Sequence, residues 1–156
     1  NRRISRIAGS GNALLSRIEP TELLDYALPG RIAGRGVLLA RFGEGDTAWD
    51  LAVTHLSLGA KSRQLQLGFL ADLLSESPRR VLMGDFNCDF DAPEMRALYR
   101  GTSLEPPPHR VATFPSWAPQ RALDHVLVGG FKVLDYKAVP AAGSDHMAVG
   151  VELLPK

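Results

Sequence analysis

The sequence predicts an α/β fold of the α+β kind, with a mixed and largely antiparallel sheet, and three observations carry that prediction. Short apolar runs rich in Val and Leu recur along the chain, flanked by Gly, Pro or polar residues, at lengths that suit buried strands. One long segment, between Ala60 and Ser75, switches to apolar residues three and four apart, which is the period of a helix. Several strand-like runs follow one another with no helix between them, which disfavours a doubly wound parallel sheet. The chain has 156 residues and 45% hydrophobic composition, enough apolar side chain for one core, so a single domain over 1–156 is expected.

Strands are expected at Ala13–Leu15, Gly36–Phe42, Ala48–Leu56, Arg80–Met83, Ala122–Val128, Lys132–Val139 and His146–Leu154. The helix places Leu65, Phe69, Leu70, Leu73 and Leu74 on its apolar face and stops before Pro78. A shorter helix starts near Pro93, where Asp91 is positioned to cap it, Pro suits the first turn, and Met95, Leu98 and Tyr99 supply an apolar side. The stretch from Leu104 to Pro119 holds five prolines and few periodic apolar residues. It reads as a loop carrying Phe114 and Trp117 within the domain, because strand signals resume directly after it.

Composition narrows function only a little. The formal net charge is +1 and the pI about 8.1, so the strong footprint of a dedicated nucleic-acid binder is missing, although the first forty-one residues hold seven Arg against three acids. The single cysteine, Cys88, cannot form an internal disulfide, and no Cys/His zinc spacing occurs. This favours a reducing, cytoplasmic compartment. No apolar run is long enough to span a bilayer, and Asn1-Arg2-Arg3 has no apolar segment behind it. A signal or anchor upstream of these residues would leave no trace in them.

Four segments carry chemistry. In Arg80-Val81-Leu82-Met83-Gly84-Asp85-Phe86-Asn87 an apolar strand ends by presenting a carboxylate and a carboxamide two residues apart, a spacing that aims both to one side of an extended backbone. Taken alone, the same pattern also marks an ordinary turn after a buried strand. Ser144-Asp145-His146 sets a hard metal ligand beside an imidazole donor at a strand entrance. Asp124, in Ala122-Leu123-Asp124-His125-Val126, is a charge in an apolar strand and requires a partner, for which His146 is the obvious candidate. Val53-Thr54-His55-Leu56 ends another strand in a histidine, followed by Arg63 and Gln64 at the start of the helix.

In this order, with Arg-x-x-Gln on the helix between Thr-His-Leu and Gly-Asp-Phe-Asn, and with Gly11-Asn12-Ala13-Leu14-Leu15-Ser16-Arg17 ahead of them, the segments resemble the endonuclease/exonuclease/phosphatase superfamily. The resemblance implies a four-layer α/β/β/α sandwich and a metal-dependent phosphoesterase. It implies that Asp85 orients or deprotonates the attacking water, that Asn87 donates to the phosphoryl oxygens, and that His146 contacts the scissile phosphate while Asp124 holds it in place. His55 matches the family's second histidine. Asp145, with Asp85, would lie at the metal or its water shell, and Mg²⁺ is the expected ion, with Mn²⁺ or Ca²⁺ as alternatives. Asn12 lies beside the site, and Trp117 and Arg121 are expected to line a cleft for the phosphoester substrate. His125 departs from the tyrosine often found after this Asp and is read as a core or surface variant.

The family's early metal-binding Asn and its Gln-Glu pair have no counterpart here; Glu19 and Glu22 fall in a Pro-containing turn. The chain is therefore expected to be a C-terminal portion of such a domain, impaired on its own and prone to self-association through an uncovered sheet face. The substrate class, whether nucleic acid, lipid-derived or small molecule, stays open; the lack of a basic groove favours the last two. The alternative is a non-catalytic binding domain that keeps the fold.

Overall fold

The computed structural model describes residues 11–30 and 34–156. Seven strands and two helices run in the order β1 (Glu22–Ala27), β2 (Gly36–Phe42), β3 (Trp49–His55), α1 (Ala60–Leu73), β4 (Arg80–Asp85), α2 (Met95–Gly101), β5 (Asp124–Gly129), β6 (Phe131–Val139) and β7 (Ala148–Pro155). The first five strands form one sheet in the order β1-β2-β3-β4-β5, and β6 pairs with β7 in a second. All neighbours are antiparallel except β3 and β4. Those two are joined through α1, the crossover that a parallel pair needs.

Strand alternation divides the large sheet into two faces. Val37, Leu39, Ala52, Leu82 and Leu127 point to α1 and α2 and form the main core with Leu67, Leu70, Leu74, Met95 and Leu98. Leu51, Val81, Val126 and Val128 point the other way and pack with Phe131, Val133 and Leu153 of the small sheet. Helices, large sheet and small sheet thus make three layers among the described residues.

Six expected strands match observed ones, with ends shifted by two residues or fewer, but the first expected strand needs correction. Ala13–Leu15 is not a strand: it has no ladder partner among the described residues, and Leu15 is 98% exposed. The strand in this region is β1, an edge strand with Leu23 and Asp25 exposed. Its charged residues hid it from the apolar pattern, yet Glu22 is placed opposite Arg41 and ion-pairs with it at 2.7 Å.

Of the expected apolar face of α1, Leu70 and Leu74 are buried and Phe69 and Leu73 pack against the core, whereas Leu65 is exposed, and the buried side also takes in Arg63, Gln66, Leu67 and Ala71. Two polar side chains sit on the buried face because their hydrogen bonds are used there, as described below. Asp91 does not cap α2: the N-cap is Glu94, without a side-chain cap bond, and the entry is closed by backbone bonds from Met95 to Ala92 and Arg96 to Pro93.

At Gly84 the backbones of β3 and β4 come together. Its φ is +143°, and an added Cβ would collide with the Thr54 carbonyl oxygen and lie 3.1 Å from Thr54 N. Gly84→Ala combines a disfavoured φ with a backbone clash, each costing one to several kcal/mol. We expect a loss of about 2–4 kcal/mol in urea unfolding; a change below about 0.5 kcal/mol would show that the two strands are free to part here.

Candidate active site

The ladder register puts charge at one end of the large sheet. His55 is opposite Asp85 in the parallel β3–β4 pair, and Asp85 is opposite Asp124 in the antiparallel β4–β5 pair. Two residues deeper the same row reads Val53, Met83, Val126, on the face turned to the small sheet. The polar row therefore sits at the rim of an apolar cleft of about 230 Å³ between the sheets, whose far wall includes Met147, Ala148 and Val149.

The row is completed from the opposite side. His146 Nδ1 lies 2.7 Å from Asp124 Oδ2, which meets the need of a carboxylate at the start of an apolar strand. Asp124 is the first residue of β5, not an interior one as the apolar run suggested. His55 Nε2 lies 3.2 Å from Asp85 Oδ2. One ligand atom each from Asp85, Asp124 and His146 falls within 4.8 Å of the others, a grouping able to hold a metal ion. Asp145 is exposed and outside that group, though next in sequence to His146.

Asp85 and Asn87 are brought together by a turn and not by strand alternation, which is a correction. Strand β4 ends at Asp85, and Asn87 has a φ of 53°. Asp85 Oδ1 accepts from Asn87 N at 2.8 Å, the bond of an Asx turn, and Asn87 Nδ2 donates to Leu56 O at 2.9 Å. Phe86, between them, is fully buried. The turn after β4 is thus tied to the residue following His55.

Three buried polar residues position this end of the sheet. Gln66 accepts from Ser57 N at 2.9 Å and donates to Ser57 Oγ at 3.0 Å. Arg63 donates to Leu58 O at 2.5 Å and to Glu94 at 2.5 Å, so α1 clamps the turn that follows His55. Gln64, named in the sequence reading beside Arg63, is exposed. The third residue, Thr113, had no signal in the sequence. It is fully buried and donates from Oγ1 to Asp124 Oδ2 at 2.6 Å. Its loop straps down the histidine turn: Met147 N donates to Thr113 O at 2.8 Å, and Ser116 N to Asp145 O at 2.7 Å. Phe114 places its ring centroid 4.9 Å from that of His146.

The remaining sequence candidates surround this cluster. Asn12 Nδ2 donates to Gly36 O at 2.7 Å, at the strand next to His55. Trp117, 75% exposed, and Arg121, also exposed, lie on the strapping loop, and among the described residues neither makes a hydrogen bond or ion pair with the row. His125 is a core residue, buried between Phe86 and Phe90 with Nε2 2.9 Å from Cys88 O.

The two histidines have opposite electrostatics. Burial and the nearby Arg35 pull the His55 pKa down, and the Asp85 charge offsets them only in part. Burial also opposes the charge on His146, but the Asp124 hydrogen bond and the carboxylates of Asp124, Asp85 and Asp145 win, and its pKa is raised. Burial raises the Asp85 pKa, reinforced by Asp124 and opposed by the Asn87 amide. In the metal-free protein, NMR titration should therefore place His146 above and His55 below the ordinary 6.5. A raised folded value makes the His146 contribution to stability full below about 6.5 and lost as pH rises through the folded value. Asp124→Asn should remove the elevation and flatten that slope; an unchanged His146 titration would mean the pair does not form in solution.

A profile of the Endonuclease/Exonuclease/phosphatase family matches residues 3–146. Among solved structures, an endonuclease/exonuclease/phosphatase family protein from Bacteroides thetaiotaomicron has a TM-score of 0.74 at 20% identity, covering 88% of this chain and 66% of that one. The mannosyl-6-phosphatase of Bacteroides thetaiotaomicron VPI-5482 has a TM-score of 0.74 at 19% identity, with 87% and 67% covered. The inositol polyphosphate 5-phosphatase domain of SpSynaptojanin, in complex with inositol (1,4)-bisphosphate and calcium ion, has a TM-score of 0.62 at 16% identity, with 83% and 53% covered. At such identities the likeness is one of fold. The chain spans about two thirds of the first two and about half of the third. A comparison with curated proteins finds no match. The shared sandwich and the family profile that runs along nearly the whole sequence give one conclusion: this chain belongs to the endonuclease/exonuclease/phosphatase family.

Proposed function

We propose that the chain carries catalytic machinery of a divalent-metal-dependent hydrolase of phosphoester bonds. The observation that supports this most is the polar row itself, in which two carboxylates and two imidazoles converge at the mouth of one cleft, with the two imidazole pKa values pushed in opposite directions. The named activities of two fold relatives, a mannosyl-6-phosphatase and an inositol polyphosphate 5-phosphatase domain, are consistent with it. Asp85 orients or deprotonates the attacking water; a pKa raised by burial makes it a stronger base than an exposed carboxylate. Nδ2 of Asn87 keeps a second hydrogen beyond its bond to Leu56 O and offers it to a phosphoryl oxygen. His146, with Asp124 accepting from Nδ1, presents Nε2 to the scissile phosphate, and its raised pKa favours the donating form. His55 supports Asp85. Asn12, Trp117 and Arg121 flank the substrate.

The donor set fits a hard cation. Asp85 and Asp124 face one another across a ladder pair, and the repulsion between them raises the Asp85 pKa, a charge excess that a divalent ion relieves. Asp85 would hold Mg²⁺, or Mn²⁺ or Ca²⁺ in its place, with the exposed Asp145 at its water shell. The ion would stabilise charge that builds on the phosphoryl group. Among the described residues no helix is long and apolar enough to cross a membrane. A cytoplasmic location and self-association through an uncovered sheet face belong to the same proposal, the latter checked by light scattering.

The test is an assay of the purified protein with Mg²⁺ or EDTA against bis(p-nitrophenyl) phosphate, p-nitrophenyl phosphate, sphingomyelin and plasmid DNA. Turnover should require the metal, and Asp85→Asn should lower kcat by at least ~10²-fold with under ~1 kcal/mol lost in stability. Asp124→Ala and His146→Ala should be strongly non-additive, since each removes the function of the other. Metal-independent turnover, or full activity in Asp85→Asn, would sink the assignment.

A further inference from the structure

Asp124 Oδ2 accepts two hydrogen bonds at once, from His146 Nδ1 at 2.7 Å and from Thr113 Oγ1 at 2.6 Å. Thr113 has no exposed surface, so water cannot stand in for its hydroxyl. The hydroxyl is also oriented. Leu123 N and Asp124 N approach Oγ1 as donors at 3.3 and 3.4 Å, which occupies its lone pairs and leaves its one hydrogen for the carboxylate. A carboxylate held by a single donor can still turn about its last torsion, which is broad for Asp. Two donors from different chain segments, meeting on one oxygen, fix its plane as well as its position.

The same residue ties down the turn on which His146 sits. Thr113 O accepts from Met147 N at 2.8 Å, and Thr113 N donates to Arg121 O at 2.8 Å, closing the base of a short hairpin over 113–121. Gln120 N and Arg121 N return to Phe114 O, each at 2.9 Å. That hairpin also holds the near side of the histidine turn: Ser116 N donates to Asp145 O at 2.7 Å and Ser116 Oγ to Ser144 O at 2.8 Å. Strand β7 begins at Ala148, so 144–147 lie outside its ladder and take their support from the hairpin. Thr113 therefore reaches His146 by two routes, through its Asp124 partner and through the residue that follows it.

Building on the hydrolase reading above, we propose that Thr113 is a positioning residue for the reaction, whose hydroxyl sets His146 through Asp124. It keeps the Asp124 carboxylate in the plane that holds the imidazole, so the histidine meets the phosphoryl group already oriented. Without the hydroxyl the carboxylate and the ring turn together, and turnover falls while the substrate still binds.

Thr113→Val removes the hydroxyl at nearly constant volume and leaves both backbone bonds of residue 113 in place, while Thr113→Ser restores the hydroxyl. With Mg²⁺ and bis(p-nitrophenyl) phosphate or p-nitrophenyl phosphate, Thr113→Val should lower kcat about tenfold or more with KM within about twofold. Thr113→Ser should recover most of that loss. In an Asp124→Ala background Thr113→Val should cost less than about twofold more, because the group it acts through is gone. A residue that only supports the fold would impose the same loss in both backgrounds, and that result overturns the proposal. A second arm needs no turnover: in EDTA, histidine-ring NMR should show His146 Nδ1–H exchanging with water at least about fivefold faster in Thr113→Val than in wild type, with Thr113→Ser close to wild type. If no substrate is turned over but this difference holds, the hydrolase reading fails and the positioning of His146 stands. Equal exchange in wild type and Thr113→Val overturns the positioning role alone. Should Thr113→Val not fold, the wild type decides: the Thr113 hydroxyl proton, bound to Asp124 and shut off from water, should give a slowly exchanging signal that disappears in Asp124→Ala, and its absence from the wild type overturns the proposal.

Discussion

The candidate site at the end of the large sheet depends on one register. Because β3 and β4 are parallel and β4 and β5 antiparallel, the last residue of two strands and the first of a third fall in a single row. Alternation then sends His55, Asp85 and Asp124 to the same face, above Val53, Met83 and Val126. A slip of one residue in either ladder would turn a carboxylate towards the helices, into a core of Leu67, Leu70 and Leu82, where an unpaired charge is very costly. The hydrophobic core and the polar row therefore specify the same register. Gly84 is the point where that agreement is tightest, since the approach of β4 to Thr54 leaves no room for a side chain.

Around the row, buried polar groups do what apolar packing cannot: they fix loops in direction as well as in position. The helix α1 gives up apolar residues at Arg63 and Gln66 on its buried face, and both turn to the Ser57–Leu58 backbone. Thr113 does the same from the other side, binding Asp124 with its hydroxyl and Met147 with its carbonyl. Each is satisfied, so burial carries no orphaned hydrogen bond. Two chain segments far apart in sequence, 56–58 and 144–147, are thereby held against the same sheet end.

Much of this was legible in the sequence, for identifiable reasons. Strands β2, β3, β4 and β6 are apolar runs bounded by polar residues, and their ends come out within two residues. Edge strand β1 was not legible, because only Leu24 and Tyr26 pack against the core and its charged residues, with Glu22 paired to Arg41, break the apolar pattern. The apolar face of α1 was legible apart from Leu65, but the burial of Arg63 and Gln66 was not, because buried polar residues look like exposed ones until their partners are known. For Asp124 the argument from cost worked: a carboxylate among apolar residues needed a partner, and His146 lies 2.7 Å away. Thr113 was invisible for the converse reason, since a neutral hydroxyl at the end of a Pro-rich loop raises no cost that would demand explanation. Asn87 was aimed correctly on the wrong ground, its direction set by a left-handed turn and not by strand alternation.

The two carboxylate–imidazole pairs are chemically distinct although they stand side by side. Asp124 accepts from both Thr113 and His146, so its charge is committed to holding the imidazole, and the histidine gains a proton affinity above the ordinary. Asp85 spends one oxygen on the Asn87 amide and leaves the other beside a histidine whose own affinity is depressed. The first pair is arranged to keep a proton and offer it, the second to lack one and accept it. Neither property belongs to an isolated Asp–His contact; both follow from what burial, Arg35 and the neighbouring carboxylates add at each position. On the proposed reading, taking a proton from water and donating to an oxyanion within one cleft needs this asymmetry, and it comes from setting Asp85 and Asp124 opposite one another in the β4–β5 ladder, each with its own histidine.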